Sequence, residues 1–436
     1  MGFVQRCVMP SRRRAIATLV MAGAGAACRA ADNNNSAQRL TVDDLAKQYV
    51  RLTLKLAQHQ PSLVEAWLGP ENWRPGARRP VADIQKEILL AHTALAELPS
   101  PSEQADRYRY LGGQLNALVV AARRLAGESM RFWEEASAAL GVEETDVRGA
   151  GLQSRAIAAA RAELEHRLPG GGPLHARYAA FRDRHAVSRD RIIPTFRAAM
   201  QACHDRVRQH ALLPEAESVE VATATQIALE AQASYQGGFR TRVTIDTSAQ
   251  IDLARLLWLA AHEAYPGHHM QHVLGDRDCV RARSWHERAL YPAFGPHLLC
   301  AEGAAEAGAA LLLDEDTFEL VCRELAPVAS TSKGTVSDLV AVHRAVTALG
   351  DGIPAVAQRY LDGEIGSEEA ADRLTADALV ADARQFLVVI ERQRTRLLGY
   401  PLGRRIVADE VFARPPEQQW QRLTSVATTL TTSEQH

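Results

Sequence analysis

The sequence predicts a mainly α fold of the α+β kind, a large helical frame carrying a small β-sheet. Three observations predict it. Alanine is abundant and aromatic residues make up only 6% of the chain, a composition that leans towards helix. Apolar residues recur at helical spacing over most of the length. The clearest strand signal is confined to 234–248, where glycines precede the alternating β-branched residues Thr241, Val243 and Ile245.

Each element follows in order. Residues 41–59 open with Thr41-Val-Asp-Asp, a capping sequence, and continue with Leu45, Tyr49, Leu52 and Leu56 on one helical face. The proline-rich 61–80, with Trp67 and Trp73, reads as an ordered loop with short helix. Helical patterns follow at 82–98, 103–125, 130–141 and 152–167. Leu168-Pro-Gly-Gly-Gly-Pro173 is the strongest break, either a boundary or a loop between long helices. Helices are expected again at 174–186, 189–211 and 217–233, then at 251–265, and through most of the C-terminal part. The resulting organisation is an N-terminal helical region, 41–167, and a second region, 174–436, able to form one continuous fold with it.

At 436 residues the chain holds two or three domain-sized units or one large enzyme fold. Lysine and arginine total 50 against 52 acidic residues, a net charge of −2, which removes the electrostatic case for a nucleic-acid partner. Arg12, Arg13 and Arg14 precede the apolar stretch 15–28 and a small-residue exit, the layout of an export signal over 1–31. Ser11-Arg12-Arg13 also suits twin-arginine export. Cys28 after Gly25-Ala26-Ala27 suggests lipoprotein processing, although the usual leucine three residues earlier is missing. Residues 32–40 read as a disordered spacer. No later window holds 18 uninterrupted apolar residues, so no further membrane span is expected. The expected location is periplasmic or envelope-associated. Cys203, Cys279, Cys300 and Cys322 are buried thiols or, in an oxidising compartment, disulfide partners.

Six of the 15 histidines fall within 262–297, where uniform scatter would place about one. The wording there is His262-Glu-Ala-Tyr-Pro-Gly-His268-His269. A helical His-Glu pair followed by another histidine is how a zinc hydrolase is assembled: imidazoles hold the metal, and the glutamate takes a proton from water. The usual second histidine would stand four residues after His262, and that position is Pro266. On an unbroken helix His268 lies about 600° round from His262, and His269 about 10.5 Å along the axis. Neither converges unless Pro266-Gly267 makes the helix bulge or restart. Two extra residues in that turn would let His268 take the second position. A third ligand should come from a following helix. The apolar run 298–312 carries only Glu302 and Glu306 as charges, and acids in such a helix need partners. Glu306 suits an orienting role towards a ligating imidazole.

His262-Glu-Ala-Tyr-Pro-Gly-His-His269, followed some 40 residues later by Glu302-Gly303, resembles the bacterial family known as domain of unknown function 885, grouped with gluzincin-like metallopeptidases. Weaker landmarks run in the same order: Gly69-Pro-Glu-Asn-Trp73, Tyr110-Leu-Gly-Gly-Gln-Leu115, Tyr235-Gln-Gly-Gly-Phe239, Tyr291-Pro-Ala-Phe294 and Gly399-Tyr-Pro-Leu-Gly403. The resemblance covers roughly 45–425. It implies a large helical zincin-like fold with a small sheet beside the active-site helix, and 238–247 as an edge strand able to take a peptide by strand addition. It implies zinc on His262, His268 and Glu302, with Glu263 as general base. Ala304 and Ala305 depart from the aromatic that family members frequently carry there, which leaves the pocket shape open.

An oxyanion donor is also needed. Tyr400, in the family-like Tyr-x-x-Gly turn, is the first candidate, with Tyr265 and Tyr291 as alternatives. Arg404 is a candidate for a substrate carboxylate. His272, His286 and His297 are expected outside the ligand set. The functional expectation is an exported zinc metallohydrolase acting on a peptide or small amide. The rivals are a non-catalytic metal- or peptide-binding envelope protein and a zinc amidase on a non-peptide substrate.

Overall fold

The first helix is set by a reciprocal cap. The Thr41 hydroxyl accepts the Asp44 N–H at 3.2 Å, and Asp44 Oδ2 accepts the Thr41 N–H at 3.0 Å. The structure is a computed structural model that describes residues 40–143, 154–226 and 229–431. The expected export signal and all but the last residue of the spacer lie outside the described residues. Thr41–His436 forms one compact unit.

Four helices come first: α1 (Val42–Ala57), α2 (Val81–Glu97), α3 (Ala105–Leu125) and α4 (Phe132–Leu140), with the short strand β1 (Val64–Trp67) after α1. Next are α5 (Ser154–Arg167), α6 (Leu174–His185) and α7 (Arg189–Val207). A three-stranded sheet follows, made of β2 (Ser218–Ala224), β3 (Ala231–Gly237) and β4 (Arg240–Asp246). The chain continues through α8 (Leu253–Glu263), α9 (His268–Gly275), β5 (Leu290–Pro292), α10 (Gly295–Leu312), α11 (Glu315–Ala329) and α12 (Val336–Gly350). It closes with α13 (Ile353–Leu361), α14 (Ser367–Ala378), α15 (Ala383–Gln393), α16 (Gly399–Phe412) and α17 (Pro416–Thr429). The expected mainly α fold with a small sheet is what the chain adopts.

Two expectations are corrected. Residues 217–226 and 229–233 are not a helix: they supply β2 and the first three residues of β3. Alanine, glutamate and glutamine there favour helix locally, but Val219, Val221 and Thr223 alternate, and pairing with β4 decides the outcome. β2 runs parallel to β4, from Ser218 opposite Arg240 to Ala224 opposite Asp246. β3 runs antiparallel to it, with Ala233 opposite Val243. The order is therefore β2-β4-β3. The strand expected at the edge, 238–247, is instead the central one, and β3 is the edge beside α8.

Two apolar clusters form the main core. One gathers α1, α2 and α3 through Leu45, Tyr49, Ile84, Leu111 and Leu115. The other gathers α7, α8, α11 and α12 through Phe196, Leu256, Leu257, Phe318 and Leu339. Helix α10 belongs to both, with Cys300 in the first and Ala309 and Leu312 in the second. It is apolar on nearly every side, as a helix buried between layers must be. A Cβ on Gly303 would lie 2.3 Å from the Gly403 carbonyl oxygen, and one on Gly403 would lie 2.4 Å from that of Leu299. Only glycine permits that approach, which lays the start of α16 against Glu302.

Leu168–Pro173 is a loop joining α5 to α6, with Leu168 and Leu174 in the same core cluster. Cys203, Cys279, Cys300 and Cys322 are free and buried, so the disulfide alternative is not realised among them. One stretch, Lys333–Leu361, is long and apolar enough by composition to cross a bilayer. It is divided into α12 and α13 and buries Val336, Leu339 and Leu349 in the core.

Candidate metal centre

Helix α8 is a core helix whose last turn carries the chemistry. Asp252 caps its start by accepting the Arg255 N–H at 3.0 Å. From Leu256 to Glu263 every residue is buried, so packing fixes the direction of His262 and Glu263. The helix ends at Ala264, and the following Tyr265–Pro266 peptide is cis. The Gly267 N–H then reaches back to the Ala261 carbonyl at 2.9 Å, six residues earlier rather than four. Two residues are thus looped out, as the HExxH comparison requires, and α9 restarts at His268. A Cβ on Gly267 would sit 1.6 Å from the His262 carbonyl oxygen, so no other residue fits this turn.

The restart brings the two rings together, with centroids 4.8 Å apart and planes at 89°. Glu302 completes the group from α10. Its Oε2 lies 3.4 Å from His262 Nε2 and 3.6 Å from His268 Nε2. That oxygen is buried and has no hydrogen bond of acceptable geometry. A tetrahedral zinc with bonds of about 2.0–2.1 Å separates its ligand atoms by about 3.3 Å, so these residues fit the ion. The three candidate ligand atoms lie within 4.8 Å of one another, the one such group among the described residues.

The electrostatics agree with a cation site. Burial alone would raise the Glu302 carboxyl, but the charge of His268 and the close approach of both imidazoles hold it well below the usual carboxylate range. Burial works against a charged His262 ring, yet Glu302 and Glu306 push its pKa well above the ordinary value. Glu306 Oε1 is 3.0 Å from His262 Nδ1, although off the hydrogen-bond axis. That approach leaves Nε2 facing Glu302, the orienting role expected of Glu306. Gln271 Nε2 donates to the Ala301 carbonyl at 3.0 Å and ties α9 to α10 beside the centre.

His269 points elsewhere. Its Nε2 is 2.7 Å from Glu217 Oε2 and its Nδ1 2.7 Å from Thr241 Oγ1. The sequence left His268 and His269 open, and the geometry favours His268. Tyr265 donates to the same Glu217 carboxylate at 2.5 Å, which removes it as an oxyanion donor. Tyr291 is buried against His272, with ring centroids 4.9 Å apart. Tyr400 stacks near His262, with centroids 6.1 Å apart, and stays partly exposed. The Glu302 carboxylate, more than burial, keeps the Tyr400 phenol protonated well beyond its ordinary range.

Glu263 is buried, and its Oε2 accepts the Ala233 N–H of edge strand β3 at 2.8 Å. Only one of its two oxygens is taken by that bond. Arg404 is not free for a substrate carboxylate: it pairs with Glu306 at 3.3 Å and with Asp351. His297 lies 3.1 Å from the Tyr110 hydroxyl, and His286 packs against Trp73, both outside the ligand set. Sequence reasoning missed Glu217, the shared acceptor for Tyr265, His269 and His204. It also missed Ala233, whose role depends on a strand read as helix.

No protein-family model matches the chain, and no curated protein matches it. Among solved structures it is similar to a candidate lipoprotein from Colwellia psychrerythraea, at 14% identity and a TM-score of 0.50, over 90% of this chain and 77% of that one. A second likeness is to a candidate lipoprotein of unknown function from Shewanella oneidensis, at 13% identity and a TM-score of 0.44, over 76% of this chain and 66% of that one.

Proposed function

We propose that the chain is an exported zinc-dependent hydrolase, a metallopeptidase acting on peptide or small amide bonds. One observation carries this reading: His262 Nε2, His268 Nε2 and Glu302 Oε2, an oxygen with no hydrogen bond, converge in a buried spot, and Glu263 follows His262 directly in the chain. A zinc ion held by His262, His268 and Glu302 would supply a Lewis acid and lower the pKa of water to about 7. Glu263 takes the proton of the attacking water and passes it to the leaving amine. Tyr400, kept protonated by the neighbouring carboxylates, donates a hydrogen bond to the developing oxyanion. Glu306 holds the His262 ring in its ligating orientation.

The substrate lies along the free edge of β3. The Glu230 carbonyl accepts the Asp246 N–H at 2.9 Å, so the even positions face the sheet. Ala231, Ala233 and Tyr235 then turn their backbone groups away from the sheet; Glu263 already accepts the Ala233 N–H, and an extended peptide adds as a strand through the remaining groups. Export rests on Arg12–Arg14 followed by the apolar 15–28, with cleavage to a periplasmic or envelope-associated protein. The fold likeness to a candidate lipoprotein is in keeping with that location.

The test is hydrolysis of a broad peptide library by the purified mature chain and its Glu263→Gln variant. The expected result is cleavage by the wild type, lost in the variant while zinc stays bound. Retained cleavage removes Glu263 from its role. Bound zinc with no turnover favours a metal- or peptide-binding envelope protein, and release of products from cell-wall fragments alone favours an amidase.

A further inference from the structure

We propose that the centre selects a bulky apolar side chain adjoining the bond it cleaves, and that the cavity between α8, α12 and α15 receives it. This deepens the metallopeptidase reading and rests on it. The cavity has a volume of about 430 Å³ and includes His262, Glu263 and Tyr400 in its wall, so it adjoins the centre on its His262 side. That size lies within the range of about 300–1,000 Å³ typical of pockets that enclose a ligand. It runs back along α8 as far as Asp252.

Its walls carry apolar side chains from three helices, alongside the polar Thr347 and Gln393. Trp258 and Leu259 come from α8, Val342 and Val346 from α12, and Phe386 and Val389 from α15. Apart from Glu263 at the centre itself, its charged groups are already engaged. Glu230 is paired with Arg255 at 2.7 Å and lies 3.8 Å from Arg182, which also donates to the Gln250 carbonyl at 2.8 Å. Arg404 is held by Glu306 and Asp351. Asp252 is spent on the helix cap. His343 stays neutral, since burial pushes it down to about 3. A lysine or aspartate side chain entering the cavity would lose its water and find no uncompensated partner. A leucine, methionine or phenylalanine side chain would lose only its contact with water.

Selectivity is read first on the zinc-loaded wild type, with peptides varied at both residues flanking the cleaved bond. The expected result is one flanking position where phenylalanine, leucine and methionine exceed glycine, aspartate and lysine by about 10- to 100-fold in kcat/KM. Val346→Trp fills the cavity from α12 and should lower the phenylalanine-to-alanine ratio about tenfold; Thr347→Phe serves if the first variant does not fold. An unchanged ratio with both rates falling alike overturns the proposal, as does a preference for charged residues at both positions.

A second readout does not depend on turnover. Glycine, leucine and phenylalanine hydroxamates are titrated calorimetrically into zinc-loaded Glu263→Gln protein. The phenylalanine compound should bind at least about tenfold tighter than the glycine compound, and Val346→Trp should erase the difference. That binding preference without any peptide cleavage leaves the pocket standing and removes the hydrolase reading. Cleavage with equal binding of all three leaves the hydrolase reading standing and removes the pocket.

Discussion

His268 and His269 are adjacent in the chain and have opposite surroundings. His269 is fully buried, with Glu217 at 2.7 Å on one nitrogen and Thr241 at 2.7 Å on the other. Tyr265 and His204 join the same glutamate. Every polar group there has its partner, so the cluster acts as a clamp that ties β2 and β4 to the turn between the two helices. His268 faces His262 and Glu302 across separations too wide and too poorly aligned for good hydrogen bonds, with Glu302 Oε2 left over. Buried polar atoms are normally satisfied, so a carboxylate oxygen without a hydrogen bond between two imidazoles sets this cluster apart from the one around Glu217. The closed cluster holds the turn in place; the open one has the arrangement of a ligand set.

The sharpest way to break this comparison is to exchange the roles. Glu302→Ala or His268→Ala should abolish stoichiometric zinc binding, with affinity loss of more than about 100-fold by chelator competition, because second-sphere changes alone cost about 10–100-fold. His269→Gln should keep zinc bound. Glu263→Gln should lower hydrolysis by about 10²–10⁴-fold with zinc content unchanged, since it removes proton transfer alone. Glu306→Gln should weaken zinc by about 10–100-fold by releasing the His262 ring, a loss visible in the same competition assay.

The smallest effect concerns the clamp. Glu217→Ala should destabilise the fold by about 3 kcal/mol in denaturant titration, because it leaves buried partners unpaired. Burial would raise the Glu217 carboxyl, but hydrogen bonds from His269 and Tyr265 outweigh it and hold the folded pKa below its ordinary value. A depressed carboxylate stabilises the fold above its unfolded pKa of about 4.3 and loses that contribution as pH falls through the lower folded value. The stability gap between wild type and Glu217→Gln should therefore be constant above about pH 5 and shrink in more acidic solution.

The candidate ligands were legible because their residue types are rare in such settings. Two acids in an apolar helix, and a His-Glu pair before Pro-Gly-His-His, leave few structural explanations. Gly267 was legible as the means of the restart, since a two-residue insertion needs a tight turn. Glu217 was not legible: it stands between helix and strand with no periodic neighbours, and its three partners lie up to 52 positions away. The edge strand was misplaced for a related reason. Residues 217–233 have the composition of a helix, and their strand character appears only when β4 lies beside them. Arg404 was expected to meet substrate, but the buried Glu306 and the half-buried Asp351 engage it first.

The most direct test of the central claim is an anomalous difference map at the zinc edge, from a crystal of the mature chain loaded with one equivalent of zinc. The account expects one strong peak among His262 Nε2, His268 Nε2 and Glu302 Oε2, and none at His269. A peak at the Glu217–His269 cluster, or no peak in a folded and zinc-saturated protein, would contradict it.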